Sequence, residues 1–229
     1  MSGDISELEK SIGYSFKNKA ILIEALTHKS YHHENPEKAI SHNERLEFLG
    51  DSVLGLAVVH YLYNLPSLCT ESVMSKLKSH AVKAGVLFEI AQGISLGNYL
   101  RVGRGEEATG GRYKKSLISN ALEAVIGAIY ADGGIEQAQK AVFRLFREKV
   151  DSLIESGDFY DYKTELQELT QMKLNSLPEY RIVKEEGEAH KKVFTVEVWL
   201  NRKCYGKGFG KSKKEAEAIS AKQALETLR

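Results

Sequence analysis

The sequence predicts an all-α domain followed by a small α+β domain of order α-β-β-β-α. Three observations carry this. Apolar positions recur at helical spacing as far as Ile154, with no strand-like alternation. A short polar stretch, Glu155-Ser156-Gly157-Asp158, then reads as a linker. Beyond it Phe194, Val196, Val198 and Leu200 alternate with polar or exposed positions, as in a sheet covered on one face. The helical domain is placed at residues 1–155 and the α+β domain at 160–229.

Helical spacing covers Glu7 to Gly13, Asn18 to Thr27, Asn43 to Tyr63, Thr70 to Gln92, Lys115 to Ala131 and Ile135 to Ile154. Glycine turns separate several of these, at Gly103-Arg104-Gly105 and Gly110-Gly111, and Gly133-Gly134 ends one helix. In the second domain Tyr162 to Lys173 reads as a helix, with Leu166 and Leu169 on one face. Tyr180 to Lys184, Val193 to Leu200 and Lys203 to Phe209 read as strands. A last helix, Ser212 to Leu228, opens on the capping-box pattern Ser212-Lys-Lys-Glu215.

The bulk numbers exclude several classes. With 229 residues and 42% hydrophobic content the chain can bury ordinary cores. No apolar run approaches membrane-spanning length; the densest, Val53 to Tyr63, reads as a buried helix, and no membrane partner is expected. The polar, acidic start does not resemble a secretion signal. Cys69 and Cys204 are far apart, fit no disulfide or zinc framework, and suit a reducing cytoplasm. The net charge of +1 averages unlike halves: 18 basic against 19 acidic residues through Glu155, then 14 against 12. No acid interrupts Arg202 to Lys214, a basic strip of the kind that meets polyanions.

The segment Asn43-Glu-Arg-Leu-Glu-Phe-Leu-Gly-Asp-Ser52 is the most informative. Glu44, Glu47 and Asp51 fall at i, i+3 and i+7 and share one helical stripe, with Leu46, Leu49 and Val53 opposite. The bland alternative is a solvated acidic face with Arg45 as an ion-pair neighbour. The apolar continuation favours a divalent cation instead, because acids on a largely buried helix need compensation. A second helix offers a partner face of Asn120, Glu123, Ala124, Gly127 and Ala131. Its small residues would let another helix approach and bring Glu123 towards Glu47 and Asp51.

Asn43 to Ser52 resembles the signature of the ribonuclease III family, and Thr27-His28-Lys29-Ser30-Tyr31 and Ser116 to Gly134 are similar to its flanking motifs. The likeness spans essentially the whole chain. It implies a Mg²⁺-dependent endonuclease for double-stranded RNA, with Mn²⁺ as the alternative ion and no organic cofactor. Metal-site residues are implied at Glu47, Asp51 and Glu123, with Glu44 assisting the catalytic carboxylates Asp51 and Glu123. Glu71 resembles an acid near the RNA and the subunit interface, and Phe48 a hydrophobic knob in a homodimer. Asn120 departs from the commonest pattern, which has aspartate there; an amide can orient metal-bound water but brings no charge. The resemblance further implies 5′-phosphate products with short 3′ overhangs, cut from ribosomal and messenger precursors.

The α-β-β-β-α part resembles a double-stranded RNA-binding domain, a module that reads the shape of the A-form duplex. Gln167, Glu168 and Gln171 suit ribose hydroxyls. His190 sits in the loop after Gly187, where the family often has proline and this chain has Glu188. Lys211, Lys213 and Lys214 lie at a helix start, where amides, dipole and ammonium groups favour phosphate. The competing expectation is an RNA binder whose cleavage is weakened or lost through Asn120. A di-iron oxidoreductase is excluded, since neither Glu44, Glu47 nor Glu123 has histidine three residues on.

Overall fold

A computed structural model describes residues 4–38, 41–65, 70–156, 162–187 and 192–228. The chain divides into two compact units, Met1–Phe159 and Tyr160–Arg229.

The first unit is helical: α1 (Ile5–Ile12), α2 (Lys19–Ala25), α3 (Lys29–Glu34), α4 (Glu44–Tyr63), α5 (Glu71–Ala81), α6 (Ala84–Gly93), α7 (Arg104–Ala108), α8 (Lys115–Gly133) and α9 (Ile135–Ser156). Asp4 and Asn18 cap α1 and α2 by accepting from backbone N–H groups two residues on. At the centre lies α8, whose Ala121, Leu122, Ala124, Val125, Ile126, Ala128 and Ile129 are all fully buried. It is apolar nearly all round because α4, α6 and α9 pack against it on different sides. The hydroxyl of Ser119 donates to the Ala84 carbonyl at 2.9 Å and ties α8 to α6.

Four expectations need correction. The span from Thr70 to Gln92 is two helices, not one, broken at Val82 and Lys83. Residues 29–34 and 104–108 form short helices where turns or nothing had been expected. The apolar half of α4 is not wholly internal: Leu56, Val59 and Tyr63 are exposed, as is Phe48 at 81%. Finally, α4 is 20 residues long and contains an 18-residue window of mean hydropathy 1.2, long and apolar enough to cross a membrane by length and composition. Its packing on α8 and α9 accounts for the buried part of that apolar composition, and Glu44, Glu47 and Asp51 lie along the same helix.

In the second unit α10 (Tyr162–Leu174) and α11 (Lys213–Leu228) lie on one face of an antiparallel sheet, β1 (Glu179–Glu186), β2 (Val193–Leu200) and β3 (Lys203–Gly210), in the order β1-β2-β3. Leu166, Val198, Ala221, Ala224 and Leu225 form its core. Alternate glycines on β3 allow α11 to rest on bare backbone: a Cβ at Gly206 would stand 2.2 Å from the Ser220 carbonyl oxygen, and one at Gly208 2.1 Å from that of Ala216. The cap of α11 is a variant of the expected box. Glu215 N–H donates to the Ser212 hydroxyl, but the Glu215 carboxylate accepts from the N–H of Lys211 instead of Ser212.

Candidate active site and RNA-binding face

The helix pair α4–α8 sets the site. Gly50 and Gly127 face one another at their crossing, and the backbones touch. A Cβ at Gly50 would lie 1.8 Å from the Glu123 carbonyl oxygen; one at Gly127 would lie 2.2 Å from that of Leu46. This approach brings the acids of α4 alongside Glu123, as the small residues on α8 suggested. Gly50 itself, sitting inside the acidic signature, had not been singled out.

The start of α4 is anchored by the Thr27–Tyr31 motif. Asn43 is buried, and its N–H donates to the Thr27 carbonyl at 2.9 Å. Thr27 in turn pairs with Arg101 in an isolated parallel bridge. From the motif, Lys29 reaches Glu44 at 3.0 Å and holds its carboxyl below the ordinary range. A cavity opens here, lined among others by His28, Lys29, Glu44, Glu47, Lys114 and Asn120. Burial keeps the His28 imidazole below its usual pKa. Lys114, which pairs with Glu106 at 2.5 Å, was not anticipated; its only sequence signal was proximity to the Ser116–Gly134 motif.

Burial pushes the Glu47 carboxyl up, Asn120 opposes this by hydrogen-bonding it, and the charge of Glu44 adds to the rise. Glu123 is pushed up to about 7, first by burial and then by the charges of Asp51 and Glu47. The three carboxylates therefore act on one another electrostatically across the α4–α8 crossing. Asp51 and Glu44 are exposed, whereas Glu47, Asn120 and Glu123 are half-buried. Among the described residues no three of His, Cys, Asp or Glu converge closely enough to form a ready-made ion cage.

Phe48 projects outward from α4 and is not a core aromatic. Along α4 it continues into the exposed Leu56, Val59 and Tyr63, and the acidic stripe flanks this apolar one. Glu71 is the first residue of α5 and is exposed. Cys69 lies outside the described residues.

On the second unit Gln167, Glu168 and Gln171 occupy the exposed face of α10, and Gln171 donates to Asn175 at 3.0 Å. Lys211, Lys213 and Lys214 are exposed at the start of α11. Lys213 is engaged: its ammonium lies 3.3 Å from Glu185 and 5.6 Å from the Phe194 ring centre. Glu188 and His190 lie outside the described residues.

A helical unit with carboxylates gathered at a helix crossing, and a unit of α-β-β-β-α order with lysines at a helix start, define a nuclease coupled to an RNA-binding module. Comparison with known proteins makes this specific. Residues 18–149 match the Ribonuclease-III-like family model and residues 162–228 the double-stranded RNA binding motif. Ribonuclease 3 of Carboxydothermus hydrogenoformans is 46% identical over 99% of this chain and 96% of its own length. Ribonuclease 3 of Aliarcobacter butzleri is 43% identical over 99% and 98%. The solved nuclease domain of ribonuclease III from Campylobacter jejuni, described for flexibility in a region involved in dimer formation, superposes with a TM-score of 0.58 at 42% identity. That match covers 63% of this chain and 97% of the solved one. The chain belongs to the ribonuclease III family and is an endoribonuclease acting on double-stranded RNA.

Proposed function

We propose that the chain is a Mg²⁺-dependent, homodimeric endonuclease of the cytoplasm. Its substrates are structured ribosomal and messenger precursors, and its products carry 5′ phosphates and short 3′ overhangs. The observation that supports the metal assignment is the backbone contact of α4 and α8 at Gly50 and Gly127, which sets Glu123 beside Glu47 and Asp51, where burial and their charges push its carboxyl up. Glu47, Asp51, Glu123 and the amide oxygen of Asn120 would supply an all-oxygen donor set, which suits Mg²⁺ better than a softer ion. Mg²⁺ keeps several waters and needs only one or two carboxylates directly, so a site with few direct protein ligands suits it. The ion would polarise the scissile phosphate and lower the pKa of the attacking water.

The protein's own contribution is positional. Asn120 favours the charged form of Glu47, and Lys29 pairs with Glu44. Glu71, Gln167, Glu168, Gln171, His190, Lys211, Lys213 and Lys214 are assigned to RNA. Phe48 and the apolar stripe behind it are assigned to a partner subunit, since one site cuts one strand and a two-fold pair cuts both.

Purified protein incubated with duplex RNA in Mg²⁺ or in chelator, beside Glu123→Ala, tests this reading. Cleavage only by the unaltered protein in Mg²⁺ supports it. Binding without cleavage by the unaltered protein would leave an RNA binder disabled at Asn120. The end chemistry is checked by ligation of the products without prior phosphorylation.

A further inference from the structure

The strand β1 carries a bulge at Val183: Ile182 pairs with Val196, Lys184 with Thr195 and Glu185 with Phe194. Without the extra residue, strand alternation would place Glu185 on the open face of the sheet. The bulge shifts it to the face shared with Phe194, where α11 begins. There both carboxylate oxygens are engaged by lysines from different elements. One lies 3.4 Å from the ammonium of Lys192, at the entry to β2, and the other 3.3 Å from that of Lys213. Lys213 also covers the Phe194 ring, so the group is fixed on one side by packing. The neighbouring Glu186 is paired separately with Lys184 at 2.6 Å.

A carboxylate that bridges two ammonium groups through two oxygens presents them with the charge and donor demand of a phosphodiester's two non-bridging oxygens. We propose that Glu185 is an internal stand-in for an RNA phosphate: it holds Lys192 and Lys213 in place when RNA is absent and is displaced from them when the duplex binds. It is thus a positioning residue that sets affinity and salt sensitivity. The lowered pKa of Glu185, caused first by Lys213 and then by Lys192, is consistent with this engagement. The inference rests on the assignment of Lys213 to RNA.

The test uses the full chain with a perfect RNA duplex in chelator, titrated across a salt series. The variants are Glu185→Gln, Lys213→Ala and the double variant. Glu185→Gln is expected to bind about threefold tighter near physiological salt, the scale of one exposed ion pair. Its plot of log affinity against log salt is expected to steepen by about one unit as a lysine is freed to release a counterion. A role confined to fold stability would move the melting temperature but not that slope. The gain should shrink in the double variant, where only Lys192 is left to be freed. Unchanged or weaker binding by Glu185→Gln, or a gain undiminished by loss of Lys213, would overturn the proposal. Lys213→Ala binding as tightly as the unaltered chain would instead remove the assignment beneath it.

Discussion

Glu123 shows how far one side chain's environment can be turned into measurable consequences. Burial, with the charges of Asp51 and Glu47, pushes its carboxyl up to about 7, against 4.5 for an unperturbed one. Between those values the unfolded chain has lost its proton and the folded chain keeps it, so stability falls as pH rises through this window and levels off above it. Glu123→Gln should therefore stabilise the metal-free protein at pH 8 by about 2 kcal/mol, once the full conversion of the shift is discounted for solvent screening of this half-buried group, and little at pH 4. Thermal melts in chelator at both values check this. The same variant should lose Mg²⁺-dependent cleavage. Asn120→Asp acts in the opposite sense, adding a fourth carboxyl beside Glu47. Metal-free stability at pH 8 should drop, while cleavage in saturating Mg²⁺ is retained or raised; a large loss of cleavage would show that the amide itself is required. The i, i+3, i+7 spacing on α4 was legible in the sequence because helix geometry alone dictates a stripe. The Lys29–Glu44 and Lys114–Glu106 pairs were not, because they join residues whose proximity depends on how loops return to the core.

At the level of elements, the α4–α8 crossing is a backbone contact, and its tolerance is correspondingly narrow. A methyl group at Gly50 would sit within bonding range of the Glu123 carbonyl, which is backbone and cannot swing aside. Gly50→Ala should force the helices apart and cost about 3 kcal/mol, the upper range for overpacking. Cleavage should fall with it, since Glu47 and Asp51 move with α4. Denaturant unfolding and cleavage assays read the two effects. In the second unit Gly206→Ala should weaken duplex binding through the same kind of clash, with the Ser220 carbonyl. Periodicity recovered the long helices and the sheet because burial on one face imposes it. It missed the break at Val82-Lys83, where apolar spacing continues across a change of helix axis. It also misread the second half of α4 as internal, since apolar residues at helical spacing read alike whether that face ends up buried or exposed. The β1 bulge that places Glu185 had no sequence signal, because one inserted residue leaves composition unchanged and alters only which face follows.

For the whole molecule, the exposed stripe on α4 decides what the helical unit requires of its surroundings. Phe48, Leu56, Val59 and Tyr63 are 81%, 54%, 46% and 76% exposed on one helix face. A contiguous apolar stripe of this kind is an interaction surface more often than a solvated one. A second copy would cover it face to face, and the flanking Glu44, Glu47 and Asp51 would then border the subunit boundary. Covering the stripe and pairing two cleavage centres are one event in this arrangement. Phe48→Glu tests it directly. The side chain makes few contacts within its own subunit, so the variant should keep its helical circular dichroism. Light scattering should show the mass of a single chain where the unaltered protein shows two. Duplex binding through the second unit should persist, while coordinated cutting of both strands should be lost. If Phe48→Glu stays dimeric and cuts both strands normally, the α4 stripe is not the interface, and the two cleavage centres must be paired through another surface.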